Sequence, residues 1–147
     1  MTIAPPRSPP VADAVTAYVR AVLAGEVVIG HLVRLACERH LRDLEMGHKR
    51  GLCFDAESAQ RAIDFFRILR LPDGPHAGER FELLPWQEFV IGSLFGWLGP
   101  DGRRRFRYAY VETARAAGKS PLAAGIGLFM LAMDGEMGAQ VYSAATT

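Results

Sequence analysis

The chain has 147 residues, of which half are hydrophobic and 22% are charged, so it can build one packed domain and is not a disordered protein. Its formal net charge is +1, so no overall excess of charge points to nucleic acid or membranes, and such a role would need a local patch. The only two cysteines, Cys37 and Cys53, exclude a disulfide framework and favour a reducing, cytosolic setting.

The first ten residues hold four of the nine prolines and predict a disordered tail over residues 1–10. They contain no apolar segment of the kind that a signal peptide needs. The longest apolar run, residues 121–133, is shorter than the roughly 20 residues of a membrane-spanning helix. The sequence therefore predicts a protein that does not associate with membranes.

Residues 11–70 have helical periodicity and form the first predicted domain. Helices are expected over residues 11–24 and 28–46, and Asp55 is expected to cap a third helix. The second helix is predicted to bury an apolar side made of Leu32, Leu35, Ala36, Leu41 and Leu44. The third is predicted to bury Ala59, Ala62, Ile63, Phe66 and Leu69.

A loop rich in proline and glycine, residues 71–80, marks the predicted boundary with a second part at residues 81–147. Pro85 suits the first turn of a helix, whose apolar stripe is predicted to comprise Trp86, Phe89, Val90, Leu94 and Trp97. Residues 105–112 alternate between polar and apolar side chains and are rich in aromatic ones, which predicts a strand. Residues 139–146 are predicted to form a second strand after the apolar helix. The order strand, loop, helix, strand is the opening of a parallel α/β sheet.

The loop between the first predicted strand and the apolar helix, TARAAGKS at residues 113–120, fits the phosphate-binding loop pattern except that Thr113 replaces the first glycine. Gly118 would let the backbone approach a phosphate, Lys119 would reach the β- and γ-phosphates, and Ser120 would offer its hydroxyl to Mg²⁺. The alternative is an ordinary helix start, with Ser120 as N-cap and Pro121 as the first helical residue.

Residues 111–147, together with FELLPWQEFVIGSLFGW at residues 81–97, resemble the ATPase region of phage terminase large subunits. RLACERHLRDLE at residues 34–45 is similar to the helical N-terminal region of these proteins, so the resemblance covers roughly residues 11–147. The resemblance implies an α/β fold in which an N-terminal helical segment precedes the first β-loop-α-β unit of a P-loop NTPase sheet, here an incomplete domain. It implies ATP and Mg²⁺ as cofactors and Ser120 as the metal ligand, and it assigns no catalytic residue. The implied nucleotide contacts are Thr113, Ala114, Arg115, Ala116, Ala117, Gly118, Lys119 and Ser120, with Gln87 at the adenine base.

In bacteriophages this family couples ATP hydrolysis to DNA packaging, and a separate nuclease domain acts as the endonuclease. The implied partners are double-stranded viral DNA, the small terminase subunit, the portal protein and sibling copies of the motor, in the host cytoplasm. The chain ends at Thr147, before the second acidic motif and the nuclease domain, so we expect a fragment that binds nucleotide weakly at most and does not hydrolyse it. The alternatives are another P-loop ATPase of the helicase-like kind, or a non-catalytic interaction module with a vestigial loop.

Several side chains have two interpretations at this point. Gln87 either contacts adenine or is a solvated helix residue, and Arg115 either senses the γ-phosphate or lies free on the surface. Cys37 and His40 share a helix face at a spacing that could begin a zinc site, although Cys37 also suits a core position. A basic group before the first predicted strand is either a contact to the DNA backbone or a solvated turn, and it comprises Arg103, Arg104, Arg105 and Arg107. Asp134 and Glu136 are either a carboxylate pair or part of a polar turn.

Overall fold

The structure is a computed structural model that describes residues 13–71, 75–115 and 117–144. Five α-helices and two short strands follow one another along the described chain. The helices are α1, Ala14–Leu23; α2, His31–Met46; α3, Ala56–Ile68; α4, Pro85–Gly96; and α5, Lys119–Ala132. The strands are β1, Cys53–Phe54, and β2, Trp97–Leu98, and a 3₁₀ turn, Gly47–Arg50, follows α2. The tail predicted at residues 1–10 lies outside the described residues.

Two aspartates start the helices that the sequence predicted. The Asp13 side chain accepts a hydrogen bond from the backbone N–H of Thr16 at the start of α1, at 2.9 Å. The Asp55 side chain accepts from the N–H groups of Glu57 and Ser58, so it is the N-cap of α3 as expected. Each carboxylate thereby satisfies N–H groups that have no partner within the helix.

One hydrophobic core joins the N-terminal helices to α4 and α5. Helix α4 packs chiefly against α3 and α1, and a Cβ on Gly92 would lie 2.2 Å from Cγ2 of Val15, so the small residue lets the two helices come close. The predicted boundary at residues 71–80 stays a prediction, while α4 packs directly on the helices that precede it. The fully buried side chains in this core are Val15, Val19, Val22, Cys37, Ala62, Phe66 and Ile91.

The predicted buried sides of two helices were partly wrong. In α2 the buried residues are Cys37, His40 and Asp43, whereas Leu32 is 77% exposed. Leu35 and Leu44 are also exposed, and Ala36 and Leu41 are half-buried. In α4 the buried residues include Phe89, Ile91 and Phe95, and the helix ends at Gly96, which leaves Trp97 to β2. The predicted face of α3 is confirmed for Ala59, Ala62, Ile63 and Phe66, which are buried, while Leu69 is half-buried.

The sheet differs from the predicted one. Strands β1 and β2 pair antiparallel, with Cys53 opposite Leu98 and Phe54 opposite Trp97. The strand predicted at residues 105–112 does not form, and no strand is present at residues 139–144, while 145–147 lie outside the described chain. A strand needs a hydrogen-bonded neighbour along its length. The N–H of Arg105 donates to the carbonyl of Trp97 at 2.9 Å, but this contact next to the isolated bridge between Leu98 and Arg104 does not continue into a ladder. The structure is mixed α and β, as predicted, but its described residues form an antiparallel pair and not the predicted parallel β-loop-α-β unit.

None of the helices in the described ranges is both long enough and apolar enough to cross a lipid bilayer.

Candidate nucleotide site

The segment 113–120 curls into the N-terminus of α5. Gly118 is the N-cap of this helix in a left-handed conformation, with φ 76°, and its carbonyl accepts from the N–H of Leu122. One turn earlier, the N–H of Ala117 donates to the carbonyl of Ala114 at 3.3 Å. Glycine adopts this backbone conformation without a steric penalty. Ala116, one of the predicted contacts, lies outside the described residues.

The Lys119 side chain folds back across this loop. Its ammonium group donates to the carbonyl of Thr113 at 2.7 Å and to the carbonyl of Ala114 at 3.0 Å, while the residue stays exposed. The loop is therefore neither extended nor open on this side. A solvent-exposed cation lies directly over the turn that precedes the helix N-terminus, where the helix dipole also attracts anions.

The alternative interpretation of this segment was wrong in its cap, Ser120, and in its first helical residue, Pro121. The helix begins one residue earlier, at Lys119, so Ser120 is its second residue and Pro121 its third. No side-chain hydrogen bond caps α5, and the Ser120 side chain is exposed. The first N–H groups of α5 consequently face the loop without a capping side chain. Arg115 lies exposed in the turn, and the structure does not distinguish its two interpretations.

The side chain of Gln87 reaches this loop from α4. It is 2% exposed, and its Oε1 accepts from the N–H of Leu84 at 2.8 Å. That bond fixes the amide so that Nε2 faces Gly118, where a Cβ would lie 3.4 Å away. Gln87 is therefore not the solvated helix residue that one interpretation expected. Its contact with adenine stays a prediction.

An open cleft of about 720 Å³ runs between the start of α4 and the start of α5. Its walls combine apolar side chains with a few charged groups, the composition that small-molecule sites share. Glu79 and Arg80 line the cleft although the sequence placed them in the loop at a domain boundary. Phe81, Glu82 and Leu84, by contrast, belong to the segment 81–97 that the sequence had already linked to Gln87. The cleft is lined by Leu71, Glu79, Arg80, Phe81, Glu82, Leu84, Trp86, Gln87, Ala117, Gly118 and Pro121.

The zinc interpretation of α2 finds no support in the structure. Cys37 is buried in the core, and burial raises the pKa of its thiol to about 11, which keeps it protonated. The His40 ring is buried and bonded on both nitrogens, to Trp97 and to Thr16. Within the described ranges, no group of three or more His, Cys, Asp or Glu residues could hold a metal ion.

Most of the arginines ahead of the loop have carboxylate partners. Arg105 pairs with Asp43 at 2.5 Å, and Arg104 pairs with Asp134 at 3.0 Å. Arg107 lies 3.6 Å from Asp101. Asp134 therefore belongs to an ion pair at the end of α5 rather than to a carboxylate pair with the exposed Glu136. Sequence reasoning did not find Asp43 as a buried partner, because nothing in its helical spacing separates it from a solvated residue.

Comparison with known proteins gives one result for this region. Residues 85–147 match the family model of the terminase large subunit, ATPase domain. No curated protein and no solved structure matches the chain. The matched stretch contains α4 with Gln87, the curled loop and α5, which are the elements that border the cleft. Residues 85–147 are thus similar to the ATPase domain of terminase large subunits.

Proposed function

We propose that the loop at residues 113–120 binds the phosphates of ATP. The observation that carries this proposal is the turn at Gly118, which presents the uncapped start of α5 next to the Lys119 ammonium group. Backbone N–H groups and a lysine together are the donors that phosphate oxygens require. The family model that residues 85–147 match is that of an ATPase domain, and nucleotide use by such a domain agrees with this chemistry.

Lys119 would exchange partners when a nucleotide enters. Two neutral carbonyl oxygens hold its ammonium group now, at 2.7 and 3.0 Å. A phosphate oxygen carries negative charge, so it attracts the ammonium group as an ion pair, which a neutral carbonyl oxygen does not. Because the side chain is exposed, it can leave the carbonyls without breaking core contacts. Ser120, in the first turn of α5, would contribute a hydroxyl to Mg²⁺, which the phosphates would hold on its other side.

The base would lie in the cleft beside Gln87. Its Nε2 faces the loop, while Oε1 keeps one lone pair besides that used by the Leu84 N–H. Trp86 and Pro121 supply apolar surface on the same cleft, and a purine ring buries well against such surface. This arrangement would place the phosphates over α5 and the base toward the start of α4.

The larger role follows from the family and not from the geometry. We propose that the chain is part of a bacteriophage DNA-packaging motor in which ATP binding and hydrolysis move double-stranded DNA. The small terminase subunit, the portal protein and further copies of the motor would be its partners, in the host cytoplasm. Gly118, Lys119, Ser120 and Gln87 would contribute nucleotide binding to that cycle.

A titration with a fluorescent ATP analogue in Mg²⁺ tests the site. Lys119→Ala is expected to weaken binding at least about 10-fold, since a hydrogen bond to a charged group contributes roughly 1.5–3 kcal/mol. Lys49→Ala is the matched control, because it removes an equally exposed lysine from the turn after α2. It should bind the analogue as the wild type does.

Equal binding by the wild type and Lys119→Ala would reject the site. Absence of binding by the wild type, in the presence of Mg²⁺ and at millimolar analogue, would favour the second candidate, an interaction module whose loop is vestigial. The exposed apolar residues of α2, among them Leu32 and Leu35, are the observation in favour of that candidate, because such surface often binds other proteins. Dependence of binding on both Lys119 and Mg²⁺ would support the proposed nucleotide site.

A further inference from the structure

Two arginines from separate segments pair with one carboxylate on α2, and a third arginine lies on the same helix beside them. Arg50, in the 3₁₀ turn, and Arg105, after β2, each form an ion pair with a different oxygen of Asp43. The guanidinium of Arg39, on α2, lies 4.9 Å from the centre of the Phe106 ring, and that of Arg105 lies 5.0 Å from the same centre. We call Arg39, Arg50 and Arg105 the arginine cluster.

Asp43 does not neutralise this cluster. Its side chain is 2% exposed, so burial alone would raise its pKa, but the hydrogen bonds and charges of Arg105 and Arg50 outweigh burial and lower the pKa. The carboxylate is therefore ionised and already has two partners. Arg39 makes no ion pair with the described part of the chain, and burial followed by repulsion from Arg105 lowers its pKa. Three positive groups thus surround one negative group.

The fold brings two basic turns to this place. The backbone N–H of Gly99 donates to the carbonyl of Arg103 at 2.8 Å, which closes a hairpin after β2. The 3₁₀ turn ends against that hairpin, where a Cβ on Gly51 would lie 2.7 Å from Cβ of Pro100. Positive residues of both turns are consequently neighbours on one surface. The exposed ones among them are His48, Lys49, Arg50, Arg103 and Arg107.

We propose that the arginine cluster and its exposed neighbour Lys49 form a surface that binds the phosphodiester backbone of duplex DNA. Arginine forks suit phosphate oxygens, and Arg50 is 56% exposed in its side chain, so it can accept a second anionic partner without leaving Asp43. The net charge of the chain is only +1, so this positive surface is local. Contacts to phosphates carry no base preference, and binding is therefore independent of sequence.

The choice of duplex DNA as the polyanion rests on the proposed packaging role, whereas the excess of positive charge rests on the contacts alone. The surface is also separate from the nucleotide loop in its residues, since it uses α2, the 3₁₀ turn and the hairpin after β2. The two sites can therefore be removed one at a time.

Fluorescence anisotropy of a labelled duplex of mixed sequence, measured with the 147-residue chain over a range of salt concentrations, tests the proposal. The variant Arg39→Gln/Lys49→Gln removes two exposed charges and leaves both ion pairs of Asp43 in place. We expect it to bind about 10-fold more weakly at low salt and to reduce the slope of log K against log salt by about 2. The matched control, Arg20→Gln/Arg61→Gln, removes two exposed charges from α1 and α3 and should change affinity less than about 2-fold.

Equal weakening by both double variants would overturn the proposal, as would a wild-type chain that does not bind the duplex. Displacement of the duplex by an acidic peptide of equal charge at lower concentration would also overturn it, and would point to a protein partner. Lys119→Ala should bind the duplex normally, and Arg39→Gln/Lys49→Gln should bind the ATP analogue normally. A negative result for nucleotide binding would therefore leave the DNA-binding result interpretable, and a negative result for DNA binding would leave the nucleotide result interpretable.

Discussion

Among single residues, Gly118 determines the shape of the candidate nucleotide site. Its φ of 76° turns the loop into α5, and its missing side chain leaves room beside Nε2 of Gln87. Any other residue would be strained by the backbone, and its Cβ would contact that amide at 3.4 Å. The position thus combines a conformational requirement with contact to Gln87.

Comparison of Gly118→Ala with Gly135→Ala should separate the backbone cost of alanine from its effect on the nucleotide loop. Gly135 has a nearly identical φ of 77°, but a Cβ there would meet nothing within 4 Å. Both variants are expected to lose roughly 1–2 kcal/mol of stability in urea unfolding, which is the cost of alanine in a left-handed conformation. Only Gly118→Ala should weaken binding of the fluorescent ATP analogue. If Gly135→Ala weakened it equally, general destabilisation and not the loop would explain the loss.

The residues that the sequence predicted at this scale are those with a local signal. Gly118 and Lys119 follow a motif with fixed spacing, and Asp55 precedes a helix in the position of a cap. The burial of Asp43 and His40 could not be predicted, because each is buried by partners distant in the chain, Arg105 for the one and Trp97 for the other. Helical periodicity in α2 therefore favoured its leucines, of which Leu32, Leu35 and Leu44 lie exposed.

At the scale of elements, α5 is apolar on most of its circumference but is anchored along one side. Leu122, Gly125 and Phe129 are its buried residues, and Leu128 and Leu131 on other sides are about half exposed. Phe129 packs edge-on against Phe95 of α4, with ring centres 4.6 Å apart. The helix that carries the loop is thus held to the core through a narrow contact.

Gly125→Ala is expected to destabilise the protein. The new Cβ would lie 2.2 Å from Cε1 of Phe66, a buried ring, and such overpacking typically costs about 1–3 kcal/mol. Gly127→Ala on the same helix is the control, because its Cβ would meet only a methyl of the exposed Val141 at 3.2 Å. There the gain in helix propensity, up to about 1 kcal/mol, should offset the contact. Urea unfolding of both variants measures the difference, and equal stabilities would contradict the contact of α5 with α3.

The helices were predictable and the strands were not, for a physical reason. Helices satisfy their hydrogen bonds locally, so caps and periodicity indicate them within a few residues. Residues 105–112 have the composition of a strand, yet a strand also requires a paired neighbour, which no local pattern specifies. The two strands that do form have two residues each. They pair the segment just before α3 with the segment just after α4, which only the packing of the two helices brings together.

For the whole molecule, a chain of buried hydrogen bonds joins α1, α2 and β2. The indole N–H of Trp97 donates to Nδ1 of His40 at 3.1 Å, so the proton of the neutral ring is on Nε2 and is directed at Oγ1 of Thr16, 3.2 Å away. The Thr16 hydroxyl then donates to Asp13 at 2.8 Å. The first of these bonds depends on His40 being neutral, because a protonated Nδ1 cannot accept from the indole N–H.

Stability should consequently fall as the pH drops below about 6.5, the ordinary pKa of histidine. Burial lowers the pKa of His40, the nearby carboxylates of Asp13 and Asp43 oppose that shift and Arg39 adds to it. The unfolded chain therefore binds a proton on this ring at a pH where the folded chain does not, and the proton favours unfolding. Above about pH 6.5 the ring is neutral in both states and contributes no pH dependence.

Urea unfolding between pH 7 and pH 5 measures this effect. His40→Gln should be less stable than the wild type at pH 7 and should show a shallower decline toward pH 5. His48→Gln is the control, since His48 is exposed in the 3₁₀ turn and its loss should leave the decline unchanged. The same decline in His40→Gln as in the wild type would assign the pH dependence to other groups.

The burial of Cys37 has a practical consequence for measuring ligand binding with an attached dye. Its protonated thiol is enclosed in the core, whereas Cys53, the second of the two cysteines, is exposed on β1. A maleimide dye should therefore attach to the folded wild-type chain at one position without any cysteine being replaced. That position lies one strand from the hairpin after β2, so the attached dye would be a local reporter for ligands that approach the basic turns.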